Sequence, residues 1–212
     1  MCTGRIDLAH VLKAFSSGVD GVFIGGCRLN ECNYTTQGNF HALNLVFLFK
    51  KIMEHLGLNP ERLRIEFMSS GEGNIFAQVV DEFNKKVQEL GPLGKSEGME
   101  ENSLRLKLKA VERLVPYLRL VEGERLRAHF KTMEECETFY SSEEADELFR
   151  ALIADKLALS QIFLLMQDKA RTTKELAELT GLPPSEITRY LNSSAEQGLI
   201  KYTESARSFA AV

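Results

Sequence analysis

Leu8, Val11, Leu12 and Phe15 stand three and four residues apart, so DLAHVLKAFSS (7–17) predicts a helix with one apolar face, Asp7 as its N-cap and Gly18 as its stop. DGVFIGG (20–26) is a short apolar run between turn residues, the pattern of a buried parallel strand. Ala42, Leu45, Val46, Phe49, Ile52, Met53 and Leu56 return to helical spacing, and Gly57 ends it. The first three turns of that helix are apolar nearly all round, which predicts cover on two sides. RLRIEFMSS (62–70) alternates as a strand does. NIFAQVVDEFNKKVQEL (74–90) predicts an amphipathic helix on Phe76, Val79, Val80, Phe83 and Val87. Helix, strand, helix, strand, helix implies an α/β domain with a parallel sheet, a partial flavodoxin-like arrangement. Two strands do not make an independent core, so the pattern predicts a further strand ahead of Cys2.

The character of the chain then changes. GPLGKSEGME (91–100), with three glycines and a proline, predicts a linker. Residues 103–150 read as helical, although LRLKLK also alternates at period two and Pro116 interrupts whatever forms there. EECETFYSSEEADELF predicts an acidic, exposed stretch. From residue 155 the signals sharpen. LALSQIFLLMQD is a helix, and TTKELAELTG follows with Thr172 and Glu175 spaced as a capping box and Gly181 at its end. LPPSEITRYLNSSAEQ opens on prolines suited to a first turn and stops at Gly198. LIKYTESARSFAAV predicts two short strands around a polar turn. Three helices and a hairpin predict a winged helix-turn-helix. The expected organisation is an α/β domain over 1–93, a linker and helical segment over 94–154, and a winged-helix-like domain over 155–212.

Composition narrows the class without changing the elements. The chain is 44% hydrophobic and 26% charged, with mean hydropathy −0.16, as in ordinary soluble domains. No apolar run approaches a membrane span and no signal peptide is evident at the start, so a cytoplasmic location is expected. Cysteines in that compartment stay reduced, which favours metal or redox chemistry over structural disulfides. The net charge is −4, and residues 155–212 hold 7 basic and 7 acidic side chains. A DNA-binding face is normally basic. The helix-turn-helix therefore reads as a protein-docking module rather than a nucleic-acid reader, though Arg171, Lys174, Arg189, Lys201 and Arg207 could gather on one face.

The cysteines carry the chemistry. Ligands of wound sheets sit at the carboxyl ends of the strands. Cys27 and Cys32 follow the strand at 20–26, and Cys2 lies where an earlier strand would end. Three thiols are thus expected to converge on one sheet edge as metal ligands, with Gly25 and Gly26 letting the backbone approach a bulky inorganic group. Thiolates are the soft ligands iron–sulfur clusters require. The plainer reading is that each cysteine is a small buried hydrophobe, since C-x4-C alone is a weak signal. Cys136, flanked by Glu134, Glu135 and Glu137, reads as structural or inert.

The stretch CTGRID…VLKAFSSGVDGVFIGGCRLNECNYTTQGN…RLRIEF resembles the methyl-viologen-reducing hydrogenase delta subunit family, through C-[ST]-G-R, A-F-x-x-G-x-D-G-V and G-C-x-x-x-x-C-x-Y-x-x-G-N. The resemblance covers about residues 1–93. It implies a domain binding a 2Fe–2S cluster that passes electrons to a flavoprotein of heterodisulfide-reductase type, with a hydrogenase or dehydrogenase module as a further partner. It places Cys2, Cys27 and Cys32 on family cysteines. Arg28 and Asn33 stand where the family tends to have histidines, and family members carry a further N-terminal segment with its own cysteines. With three thiols here, the cluster is expected to be completed by a ligand from outside this chain; His10 and His41 are the local candidates.

The expected function is an electron-transfer subunit of a multi-subunit oxidoreductase. No nucleophile–base pair, phosphate-binding loop or dinucleotide fingerprint points to a substrate of its own. The rival readings are a redox-sensing winged-helix transcription regulator and an adaptor whose cluster site has decayed.

Overall fold

The computed structural model describes residues 2–34, 38–126, 130–204 and 207–211. A single 3-10 turn, Thr3–Arg5, leads into α1 (Leu8–Ser16), β1 (Val22–Gly26), α2 (Asn39–Leu56), β2 (Leu63–Phe67) and α3 (Gly73–Leu90). The order matches the alternation of periods in the sequence. β1 and β2 pair in parallel, with Val22 opposite Leu63 and Gly26 opposite Phe67. Asp7 caps α1 through the Ala9 amide at 2.8 Å, and the Asp7 amide donates to His10 Nδ1 at 3.2 Å, closing a capping box. Gly57, at φ 79°, ends α2 in the left-handed conformation that glycine adopts without strain.

α2 is the centre of the larger core. Its buried positions include Ala42, Leu43, Leu45, Val46, Leu48, Phe49, Ile52 and Met53, spread around the helix. The sheet covers one side and later helices the other, as an all-round apolar sequence requires. α3 behaves differently. Of its predicted stripe only Phe83 is fully buried; Phe76 is 49% exposed. A sheet two strands wide is too narrow to cover that face. Phe23 of β1 meets Phe76 edge-on and Phe83 at a tilt.

The stretch expected as a linker is a series of turns pinned in place. The Arg62 guanidinium, with no exposed surface, donates to Glu97 at 2.6 Å and to the carbonyls of Asp20, Leu90 and Gly91. Glu97 in turn accepts from the Gly94 amide, and Asp20 from the Leu93 amide.

α4 (Glu101–Val121) resolves the ambiguity of LRLKLK in favour of helix, and continues through Pro116. Leu108, Val111, Val115 and Leu118 pack it into the core formed by α1 and α2. A wide π-type turn, Glu122–Leu126, extends it. α5 (Met133–Tyr140) and α6 (Glu143–Phe149) follow, then a second π-type turn, Arg150–Ala154. The acidic stretch is exposed on only one face. Cys136 and Tyr140, and then Ala145 and Phe149, recur four apart and are buried.

α7 (Asp155–Asp168), α8 (Thr173–Thr180), α9 (Pro184–Glu196), β3 (Ile200–Thr203) and β4 (Ser208–Ala211) complete the chain. β3 and β4 form an antiparallel hairpin, and Arg171 bridges to Phe209 through paired backbone hydrogen bonds of 2.7 and 2.8 Å. The predicted capping box at Thr172 and Glu175 is present. These elements enclose a second core of Ala158, Ile162, Met166, Leu176, Ile187, Tyr190, Leu191 and Ile200. No helix among the described residues is long and apolar enough to cross a membrane.

Candidate metal centre

β1 ends at Gly26, so Cys27 is delivered at the carboxyl end of a strand, and the loop it opens returns the chain to the start of α2. Cys32 lies within that loop, buried, while Cys27 is exposed and Cys2 half-buried. The sulfurs of Cys2 and Cys32 are 3.9 Å apart although thirty residues separate them. A tetrahedral metal bound by thiolates at about 2.3 Å keeps its sulfurs roughly 3.8 Å apart. The pair therefore stands at the spacing of two ligands on one soft metal.

Backbone amides shape the site around Cys32. Burial opposes its thiolate, but hydrogen bonds from the Tyr34 and Asn39 amides and from the Cys2 and Cys27 thiols outweigh it and hold its pKa below the ordinary thiol value. Asn39 opens α2, so the positive end of that helix faces the sulfur. Cys27 is pushed the other way, by desolvation and by its hydrogen bond and proximity to Cys32. Cys136 is buried in the helical layer, its pKa pushed up to about 12 by burial and Glu137.

Several residues with no role assigned from sequence position the thiols. Asn39 has no exposed surface; its Nδ2 donates at 2.7 Å to the carbonyls of both Cys27 and Arg28 and lies 3.8 Å from the Cys27 sulfur. Its Oδ1 has no hydrogen-bond partner among the described residues. Gly38 packs so closely that a Cβ there would fall 2.3 Å from the Cys32 sulfur and 2.4 Å from the Tyr34 carbonyl. Both residues close the G-N end of the cysteine motif, which was the available signal. The Thr3 hydroxyl donates to the Gly25 carbonyl at 3.0 Å and ties the Cys2 turn to the end of β1. Arg28 forms an ion pair with Glu72, which also accepts from the Ser69 amide, so the cysteine loop is fastened to the loop after β2.

At Gly26 a Cβ would press on the Phe67 ring at 3.0 Å and the Thr3 hydroxyl at 3.2 Å; at Gly25 it would meet, among the described residues, only the Phe23 ring, at 3.7 Å. His10 is engaged in the α1 capping box, and His41 Nδ1 lies 3.3 Å from Glu122 Oε1. Among the described residues no three His, Cys, Asp or Glu side chains form a ready ligand set. The thiols of Cys2, Cys27 and Cys32 have the donor chemistry that suits a soft-metal group.

The molecule is thus defined as a parallel α/β domain that gathers thiols at the carboxyl ends of its strands, followed by a helical layer and a second small core. Residues 1–91 match the FlpD family, methyl-viologen-reducing hydrogenase, delta subunit, and the chain belongs to that family. It is 42% identical over 92 residues to the iron-sulfur subunit of the F420-non-reducing hydrogenase vhu of Methanopyrus kandleri, covering 43% of this chain and 69% of that one. It is 42% identical over 91 residues to the iron-sulfur subunit of the F420-non-reducing hydrogenase of Archaeoglobus profundus, covering 43% and 66%. It is also 40% identical over 94 residues to one subunit of the ferredoxin/F420H2-dependent CoB-CoM heterodisulfide reductase of Methanosarcina acetivorans, covering 44% of this chain and 12% of that one. The chain thus spans about two thirds of the hydrogenase subunits and a small part of the reductase subunit. Its relatives are subunits of hydrogenases and heterodisulfide reductases.

Proposed function

We propose that the chain relays electrons within a heterodisulfide-reductase-type or hydrogenase assembly, through a 2Fe–2S cluster held by Cys2, Cys27 and Cys32 and completed by a donor from a neighbouring polypeptide or segment. The observation that carries this reading is the 3.9 Å approach of the Cys2 and Cys32 sulfurs at the carboxyl end of β1. A bound cluster supplies one-electron transfer. The chain's own residues hold the thiols in place: Gly38 leaves room for Cys32, Asn39 fixes the Cys27 turn, and Gly25 keeps the rim open. The partner is a flavoprotein of heterodisulfide-reductase type. A similar domain occurs within a far longer reductase polypeptide and within shorter hydrogenase subunits, which supports a position beside that longer polypeptide.

The three helices and the hairpin that follow residue 154 are read as a winged helix that serves as a protein-docking module. Three of the basic side chains a DNA reader would need are engaged within the chain. Arg171 donates to the Leu165 carbonyl, Lys174 lies 3.9 Å from Glu178, and Arg189 pairs with Asp155 at 3.2 Å. The test is anaerobic purification of the native assembly with iron and sulfide analysis, repeated with Cys27→Ser. The expected result is a flavoprotein partner and a cluster that Cys27→Ser depletes. An iron-free assembly, or cluster content unchanged in the variant, would overturn the cluster assignment.

A further inference from the structure

We propose that Cys2 and Cys32 are also a reversible disulfide pair, which closes when the chain carries no metal and meets a small-molecule disulfide. The sulfurs already stand 3.9 Å apart, and a disulfide requires them to close to about 2.05 Å. Between the two members of the pair, accessibility sets the order of events. Cys2 is half-buried at the chain's entry to the fold, and Cys32 is buried behind it. Cys2 gives up its proton and attacks one sulfur of the small disulfide, RSSR; a Cys2–S–S–R bond forms and one RS⁻ leaves, to be protonated as RSH. Cys32 then gives up its proton and attacks the Cys2 sulfur. The bond to R breaks, the Cys2–Cys32 bond forms, and a second RSH is released. The two cysteines together lose two electrons and two protons, and RSSR gains both.

Cys27 is the competitor, and chain statistics favour it. In an unfolded chain the closure of C-x4-C would outpace closure over thirty residues by roughly tenfold. The folded chain reverses that preference because the turn Thr3–Arg5 and the cysteine loop hold the Cys2 sulfur 3.9 Å from Cys32, while Cys27, although its thiol also neighbours Cys32, is tied through its carbonyl to Asn39. Closure withdraws two of the three candidate ligands, so the metal-free site is shut until a thiol reductant reopens it. The proposal stands on sulfur geometry and does not depend on which metal group the site takes.

The experiment uses the reduced, metal-free full chain incubated with excess oxidised glutathione, alkylated, digested and mapped by mass spectrometry. The expected result is a fall in free thiols, counted after denaturation, from the chain's 4 cysteines to two, with the Cys2–Cys32 cross-link dominant. Cys27→Ser should keep that cross-link. The same oxidation in denaturant should shift it to Cys27–Cys32, showing that the fold makes the choice. Unchanged thiol content, or a Cys27–Cys32 bond dominant in the folded chain, would overturn the inference. Either result leaves the cluster assignment to its own test by iron and sulfide analysis.

Discussion

Gly38 and Cys32 touch so closely that no side chain can stand between them: a Cβ on Gly38 would lie 2.3 Å from the Cys32 sulfur. The glycine is required by the thiol. Gly38→Ala must push the loop or the sulfur aside, at about 1–3 kcal/mol of overpacking. Gly71→Ala is the control, since a Cβ there meets nothing within 4 Å. Denaturant titration of both variants should show the loss only in Gly38→Ala; equal stability of the two would refute the contact.

Asn39 joins two elements by donating to two carbonyls of the cysteine loop. Asn39→Ala removes both hydrogen bonds and leaves the Cys27 and Arg28 carbonyls without them. About 1–3 kcal/mol of stability should be lost. The loop should also open locally, so amide hydrogen exchange over residues 27–34 should quicken more than exchange in α4. Uniform quickening across the chain would mean that Asn39 acts on global stability and not on the loop.

Glu97 and Arg62 couple the turns after α3 to the sheet. Burial alone would raise the Glu97 pKa, but the Arg62 hydrogen bond and the Asn59 and Gly94 amides hold it below the ordinary carboxylate value. A folded-state pKa below the unfolded one means the unfolded chain binds protons more readily at acid pH. The pair's contribution is therefore complete above the unfolded value, about 4.3, and declines as pH falls through the folded value. Glu97→Gln leaves a fully buried guanidinium without its counter-charge, which should cost roughly 3–5 kcal/mol at neutral pH. Unfolding titrations of both proteins from pH 7 to pH 3 should converge toward the acid end; curves that stay parallel would show that Glu97 does not carry the acid sensitivity.

The Tyr140 hydroxyl donates to Asn44 Oδ1 at 2.9 Å, and Asn44 Nδ2 donates to Glu122 Oε1 at 2.9 Å. This chain of polar groups lies inside the core and links α2, the turn after α4, and α5. Tyr140→Phe leaves the Asn44 acceptor buried and unpaired and should destabilise by about 1–3 kcal/mol. Tyr117→Phe removes a hydroxyl that donates to the Leu152 carbonyl from a part-buried position, and its smaller loss serves as the comparison. A Tyr140→Phe protein as stable as the parent would mean that water replaces the lost donor.

Local periodicity was enough to determine the elements outside residues 103–150. Helix and strand periods differ, and the caps at Asp7, Thr172, Gly57 and Gly181 are short-range chemistry that a sequence displays directly. The positions of Cys27 and Cys32 after a buried strand were legible for the same reason. The sequence also held the signal for the buried face of α5 and α6, in the spacing of Cys136 and Tyr140, but the surrounding carboxylates obscured it. Tertiary structure alone decided what meets what. That Cys2 lies against Cys32 while Cys27 turns toward Asn39, that Gly38 exists to admit a sulfur, and that Arg62 anchors the stretch expected as a linker all depend on contacts between distant segments. Such contacts are fixed by packing in three dimensions, where a neighbour thirty or more positions away leaves no trace in the local pattern of apolar and polar residues.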